Sequence, residues 1–280
     1  MTIERNPSSR ALVERALYLL LNELGDVETK LVVLGGLVPE TLTRDQVPPV
    51  TPHLGTTDVD LLLLAHLDAS ADTANAEIER ALIKLGFENI EDGWRWRVLI
   101  DGVPIKMEFL CDIDDAREGE CRRPAGCAEL TAINLRGTGY VARDFSEEVL
   151  TIGTDNDAAT TVKVRYAGLQ GYLLSKASAV RMRAAEKDYY DFAYVLINNR
   201  DGGPRAAATL LRSGVFASEL RYLRSTFAEI RERYRLPTDD GPRNYANESL
   251  KMDGAGNPKL LQLDAVAAVS DFIDELEILK

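Results

Sequence analysis

The stretch "HLGTTDVDLLL", residues 53 to 63, decides how the chain is read. Asp58 and Asp60 stand at the leading end of a run of four leucines, Leu61 to Leu64. An apolar β-strand of this kind is headed for a core. Residues two apart on a strand project to the same face, so Asp58 and Asp60 point together while Val59 and Leu61 point oppositely. At intermediate dielectric two carboxylates this close repel by roughly a few kcal/mol unless a cation lies between them. Oxygen ligands of this type suit Mg²⁺ or Mn²⁺. A bare Asp-x-Asp is more often the exposed end of a strand, with both carboxylates in water, so the pair needs companions.

Companions lie on both sides. Upstream, "KLVVLGGLVPETL" (residues 30 to 42) reads as a short strand closed by Gly35 and Gly36. A short helix follows with Pro39 in its first turn. Glycines let backbone N–H groups come close to a phosphate, and a helix N-terminus favours anions. Downstream, "WRWRVLI" (94 to 100), a tight "DGV" turn and "IKMEFLC" (105 to 111) read as a hairpin. Glu108 on its second strand is a candidate third carboxylate, able to complete a two-metal site; as a lone residue it is more often a surface glutamate. Helices are expected over 10 to 24, ended by Gly25, and over 71 to 85, with Gly86 beyond. The order implies an α/β (α+β) domain with a mixed sheet flanked by helices.

Beyond a proline-rich loop (43 to 57) and a loosely patterned stretch containing "GTDNDAATT", the chain turns mainly helical. Helices are expected over about 168 to 198, 205 to 213, 216 to 235 and 263 to 278. The boundary is placed near residue 155, giving domains 1–155 and 156–280. In "LLSKASAVRMRAAEKDYYDFAYVL" (173 to 196), a continuous helix at 100° per residue sets Lys176, Arg183, Lys187 and Asp191 in one polar stripe. Asp188 falls about 120° from Lys176 and is the poorer candidate. A salt-bridged surface helix would produce a similar stripe.

Composition bounds the class. Hydrophobic residues are 45% and charged residues 28% of 280, a globular balance. No apolar run approaches a membrane span, and no signal-peptide cleavage pattern follows "ALYLLLN", so the expected address is the cytoplasm, with no membrane partner. Cys111, Cys121 and Cys127 match no zinc spacing. The net charge of −12 is uneven: residues 161 to 260 hold 17 Lys or Arg against 11 Asp or Glu. An acidic portion joined to a basic one is compatible with a cation site beside a polyanion-binding face, and equally with a solvated Arg-rich helical surface.

Together these motifs resemble the nucleotidyltransferase superfamily with the polymerase-β-type fold, and most closely its AbiEii-type toxin family of abortive-infection and type IV toxin–antitoxin systems. The superfamily pattern is a Gly-Gly or Gly-Ser turn, an Asp-x-Asp strand and a third carboxylate on another strand; here Gly35-Gly36, Asp58 and Asp60, and Glu108 match it. The AbiEii-like helix, K-x-x-A-x-x-x-R followed by K-D-x-x-D, is matched by Lys176, Ala179, Arg183, Lys187, Asp188 and Asp191. The resemblance spans about residues 35 to 196. It implies transfer of a nucleoside monophosphate from an NTP to an acceptor. Asp58, Asp60 and Glu108 would hold Mg²⁺ or Mn²⁺, Lys176 would neutralise the triphosphate, and Asp191 would orient Lys176. Gly35, Gly36, Thr57, Arg183 and Lys187 would join Lys176 in binding the nucleotide. The implied acceptor is a tRNA 3′ end, then a protein hydroxyl, with an antibiotic as a further alternative; a cognate antitoxin is an implied partner. A non-catalytic nucleotide-binding protein on the same fold, and a scaffold whose "DVD" meets only water, are the competing readings.

Overall fold

The computed structural model describes residues 4–25, 30–45, 49–64, 72–152, 160–252, 254 and 256–277. Pro48, residues 153–159 of the "GTDNDAATT" stretch and Ile278 therefore lie outside the described residues. The fold is mixed α/β, with a nine-stranded mixed sheet and a helical C-terminal region. The chain divides into two units, one of residues 1–38 and 55–167, the other of 39–54 and 168–280.

In the first unit, α1 (Pro7–Leu24) begins where Asn6 and Ser9 close a capping box, Ser9 N–H donating to Asn6 Oδ1 at 2.9 Å. It ends at Gly25, whose φ of 55° a side chain would resist. The strands are β1 (Leu31–Leu34), β2 (Asp58–Leu63), β3 (Glu88–Glu91), β4 (Arg95–Ile100) and β5 (Val103–Cys111). They are followed by β6 (Cys121–Arg122), β7 (Ala132–Asn134), β8 (Phe145–Ile152) and β9 (Thr160–Ala167), and the short helix α2 (Val38–Thr43) and the helix α3 (Asp72–Lys84) come after β1 and β2 in the chain. The sheet runs β3-β4-β5-β2-β1-β9-β8, with β7 also pairing β5 and β6 pairing β7. The β4–β5 hairpin turns on Asp101 and Gly102, both at positive φ, as a two-residue Asp-Gly turn requires. Its burial alternates up to Phe109: Trp96, Val98, Ile100, Ile105, Met107 and Phe109 are buried, while Arg97, Leu99 and Lys106 are exposed.

The division between units falls at Ala167–Gly168 instead of near residue 155. The reason is β9, which lies parallel to β1 with Val33 opposite Tyr166 and antiparallel to the whole length of β8. Its buried Val162, Val164 and Tyr166 belong to the core of the first unit. Residues 39–54, inside the expected first domain, belong to the second unit.

That second unit contains α4 (Leu169–Arg183), α5 (Glu186–Asn198), α6 (Gly203–Ser213), α7 (Arg224–Arg233), α8 (Asp240–Met252) and α9 (Pro258–Leu276). The helix expected over 168 to 198 is broken: Ala184 is left-handed at φ 48° and Ala185 is extended. The segment 216 to 235 is a 3₁₀ turn at Leu220–Leu223 leading into α7. The helix α8 lies outside the expected segments; its Pro242 sits in the first turn, where no backbone N–H is needed. Phe227 and Phe272 pack edge to face in the core at 5.7 Å. Segment 39–54 is stitched to α5 by Tyr194 Oη donating to Thr51 O (2.8 Å) and Leu54 N–H donating to Tyr190 Oη (3.1 Å). Among the described residues no helix is long and apolar enough to cross a membrane.

One buried carboxylate organises the periphery of the sheet. Glu79, on a helix of the first unit (α3, Asp72–Lys84), accepts from the N–H groups of Ala128 (2.9 Å), Leu130 (2.6 Å) and Glu129. Burial pushes its carboxyl up, but the three N–H groups outweigh that and hold it below its ordinary value. A depressed carboxylate contributes stability above its unfolded pKa, and that stability is lost as pH falls through the folded value. Glu79→Gln is expected to lose about 1–3 kcal/mol at pH 7 in chemical denaturation. The gap to wild type should close in acid.

Candidate functional site

The acidic pair is set by strand register. The strands β2 and β5 run parallel, with Asp58 opposite Lys106 and Asp60 opposite Glu108. The next pairing, β4 on β5, sets Arg95 opposite Glu108 and Arg97 opposite Lys106. Directly opposed residues share a face, so two charged rows cross the sheet. Asp58, Asp60 and Glu108 are half-buried, whereas Val59, Leu61, Met107 and Phe109 on the other face are fully buried. Like charges at Asp60 and Glu108 would destabilise the pairing alone. Arg95 offsets this: its guanidinium lies 2.8 Å from Glu108 Oε1, pairs also with Glu91, and stacks 4.1 Å from the Trp94 ring centroid.

The glycine turn touches this row. Gly35 has φ 75°, and a Cβ there would lie 1.8 Å from Asp60 Oδ2. The backbone at Gly35 is therefore pressed against the Asp60 carboxylate, which only a residue without a side chain permits. A Cβ on Gly36 would lie 2.6 Å from the Thr56 Cβ. Thr56 is buried, and its hydroxyl donates to Asp58 Oδ1 at 2.7 Å. The hydroxyl that holds Asp58 thus belongs to Thr56, with the sequence candidate Thr57 half-buried beside it.

The donor chemistry fits a hard divalent cation: carboxylate oxygens on one face, half-buried, with Asp58 and Asp60 two apart on a strand. Among the described residues, however, no three Asp, Glu, His or Cys side chains are gathered closely enough to hold a metal ion. Glu108 is engaged by Arg95. The fit is therefore to the aspartate pair, with Glu108 one strand away.

The remaining candidates form a line of buried charge inside the second unit. Lys176 on α4 donates to Asp191 Oδ2 at 2.7 Å and lies 3.3 Å from Asp188 Oδ1, both on α5. Arg183 clasps Asp188 through Nε (2.6 Å) and Nη2 (2.9 Å). Asp191 Oδ1 lies 3.0 Å from His53 Nε2. Relative exposure is 6% for Lys176, 0% for Asp188, 1% for Asp191 and 2% for His53, so the line is sealed except at Arg183. The break at Ala184 corrects the helical-stripe geometry: it folds α5 back on α4 and makes Asp188, the poorer candidate on a continuous helix, the partner of both Lys176 and Arg183. Burial raises the Asp188 carboxyl, but Lys176 and then Arg183 outweigh it, leaving it below the usual carboxylate range. Lys187 is half-buried on the first turn of α5.

Arg95, Thr56 and His53 were not among the sequence candidates. Arg95 was accessible: counting outward from the Asp-Gly turn pairs it with Glu108. No local signal marks His53, which is brought to Asp191 across 138 positions.

Comparison of the chain with family models, curated proteins and solved structures found no match.

Two outcomes follow from this geometry. Gly35→Ala should displace the Asp60 carboxylate and cost about 1–3 kcal/mol, measured by thermal or urea unfolding. Asp188→Asn should destabilise by about 3–5 kcal/mol at neutral pH, because buried Lys176 and half-exposed Arg183 lose their shared counter-ion. Since the Asp188 pKa is depressed by folding, the difference should shrink as pH drops through the folded value.

Proposed function

We propose that the protein is a metal-dependent nucleotidyltransferase that moves a nucleoside monophosphate from an NTP to an acceptor, the toxin of a toxin–antitoxin or phage-defence system. The observation carrying this reading is the first unit's acidic row: Asp58 and Asp60 on one strand face, Glu108 opposite Asp60, and the Gly35 turn closed against the Asp60 carboxylate. In this reading Asp58 and Asp60 hold Mg²⁺ or Mn²⁺ and Glu108 assists once drawn from Arg95. The bound metal supplies stabilisation of charge on the attacking and leaving oxygens of an in-line displacement. Thr56 orients Asp58 through its hydroxyl. Gly35 and Gly36, packed against Asp60 and Thr56, have the role of the phosphate-side turn, with Thr57 beside them. The resemblance gives Lys176 the role of neutralising the triphosphate and Asp191 that of orienting Lys176; in the second unit Lys176 is buried on Asp191 and Asp188, and Arg183 and Lys187 add positive charge there. The favoured acceptor class is a tRNA 3′ end, served by the excess of basic residues over 161 to 260; a protein hydroxyl is next.

The pairing of Glu108 with Arg95, with no gathered metal triad among the described residues, favours a second reading, a non-catalytic nucleotide-binding protein. Incubation with each α-labelled NTP, Mg²⁺ and either total tRNA or total protein separates the two. Wild type should label an acceptor, and Asp58→Ala should lower labelling by at least about 100-fold, equivalent to about 3 kcal/mol. Labelling of tRNA should fall steeply with salt. NTP binding by calorimetry without transfer to either pool would replace the enzyme with the binding protein.

A further inference from the structure

We propose that His53 is a positioning residue, whose imidazole Nε2–H anchors Asp191 so that the other oxygen of that carboxylate is fixed on the Lys176 ammonium. The two oxygens of Asp191 have separate duties: Oδ1 faces His53 Nε2 at 3.0 Å and Oδ2 faces Lys176 Nζ at 2.7 Å. An ionised carboxylate only accepts, so the hydrogen in the His53 contact sits on Nε2. The ring therefore donates from Nε2 into the buried end of the line.

The ring itself is held from several directions. Tyr190 stacks on it at 5.0 Å with planes 25° apart, and Tyr194 meets it edge-on at 4.9 Å. The hydroxyls of the same two tyrosines tie down the backbone on either side, at Leu54 and Thr51. A histidine present only to fill apolar space would not need its flanking backbone fixed by the residues that set its plane. Each carboxylate on Lys176 thus has a second donor: Arg183 clasps both oxygens of Asp188, and His53 meets the oxygen of Asp191 that faces away from Lys176.

The geometric statement stands by itself; its consequence for transfer rests on the proposed role of Lys176. The chain has two histidines, so His66→Gln leaves His53 as the sole imidazole. In ¹⁵N-labelled full-length protein at pH 7, that variant should show hydrogen on Nε2; a ring with its hydrogen on Nδ1 alone overturns the proposal. The Lys176 ammonium should exchange slowly with water. His53→Gln, whose side-chain amide can donate to Asp191, should preserve this, whereas His53→Phe with an unchanged circular-dichroism spectrum should accelerate it about tenfold, the effect of one lost hydrogen bond. Unchanged exchange in folded His53→Phe, or loss in His53→Gln equal to that in His53→Phe, overturns it. Absence of nucleotidyl transfer by wild type would remove the proposed enzyme function while leaving the ring and ammonium measurements to decide the anchor.

Discussion

The parallel pairing of β2 with β5 is the constraint on which the first unit depends. Side chains on a strand alternate with a period of two, so a slip of one residue would turn Asp58 and Asp60 toward the face of Val59 and Leu61 and drive both carboxylates into the core. The apolar face forbids that slip, and so the same residues that build the core fix where the charges stand. The antiparallel β4 then supplies Arg95 and Arg97 to the charged face, and the first of these makes adjacent Asp60 and Glu108 tolerable. Gly35 adds a second lock. With the backbone against Asp60 Oδ2, neither the turn nor the carboxylate can shift alone.

The second unit solves a different problem. Its cations and carboxylates alternate along one line, from half-exposed Arg183 through buried Asp188, Lys176 and Asp191, with His53 at the end. Desolvating three charges is expensive, and such a line is retained only where every member is satisfied. The line shows that property: Asp188 is shared between Lys176 and Arg183, and Asp191 between Lys176 and His53. An amine gripped from both sides in a low-dielectric interior has a defined position, which an exposed lysine on a flexible stem lacks. The left-handed Ala184 is what permits this, because an uninterrupted helix would carry Asp188 away from Lys176.

Much of the fold was legible where local chemistry is strong. Gly25 and the Asp101-Gly102 turn announce a stop and a hairpin, and the alternation in β4 and β5 follows, whereas the Asn6 cap starts α1 three residues before the expected helix. The strand β9 also alternates, with Val162, Val164 and Tyr166 inward, but it borders a stretch without clear pattern and so was passed over. The helix α8, outside the expected segments, opens with a Gly-Pro pair that is harmless at a helix start. The two-alanine break between α4 and α5 was not legible. Alanine is the best helix former, and only the packing of one helix against the next overrides that preference.

The sequence by itself determined which residue types stand together on a strand face: Asp58 with Asp60, and Glu108 with Lys106, because a two-residue period is a property of the backbone. It also determined the hairpin, since Asp-Gly suits the positive φ values that such a turn demands. Only tertiary structure decided that Asp60 faces Glu108, that Thr56 and not Thr57 holds Asp58, and that a histidine in a proline-rich loop meets Asp191. Those contacts join residues far apart in the chain, and their partners are selected by burial and by the need to satisfy every charge that burial strips of water.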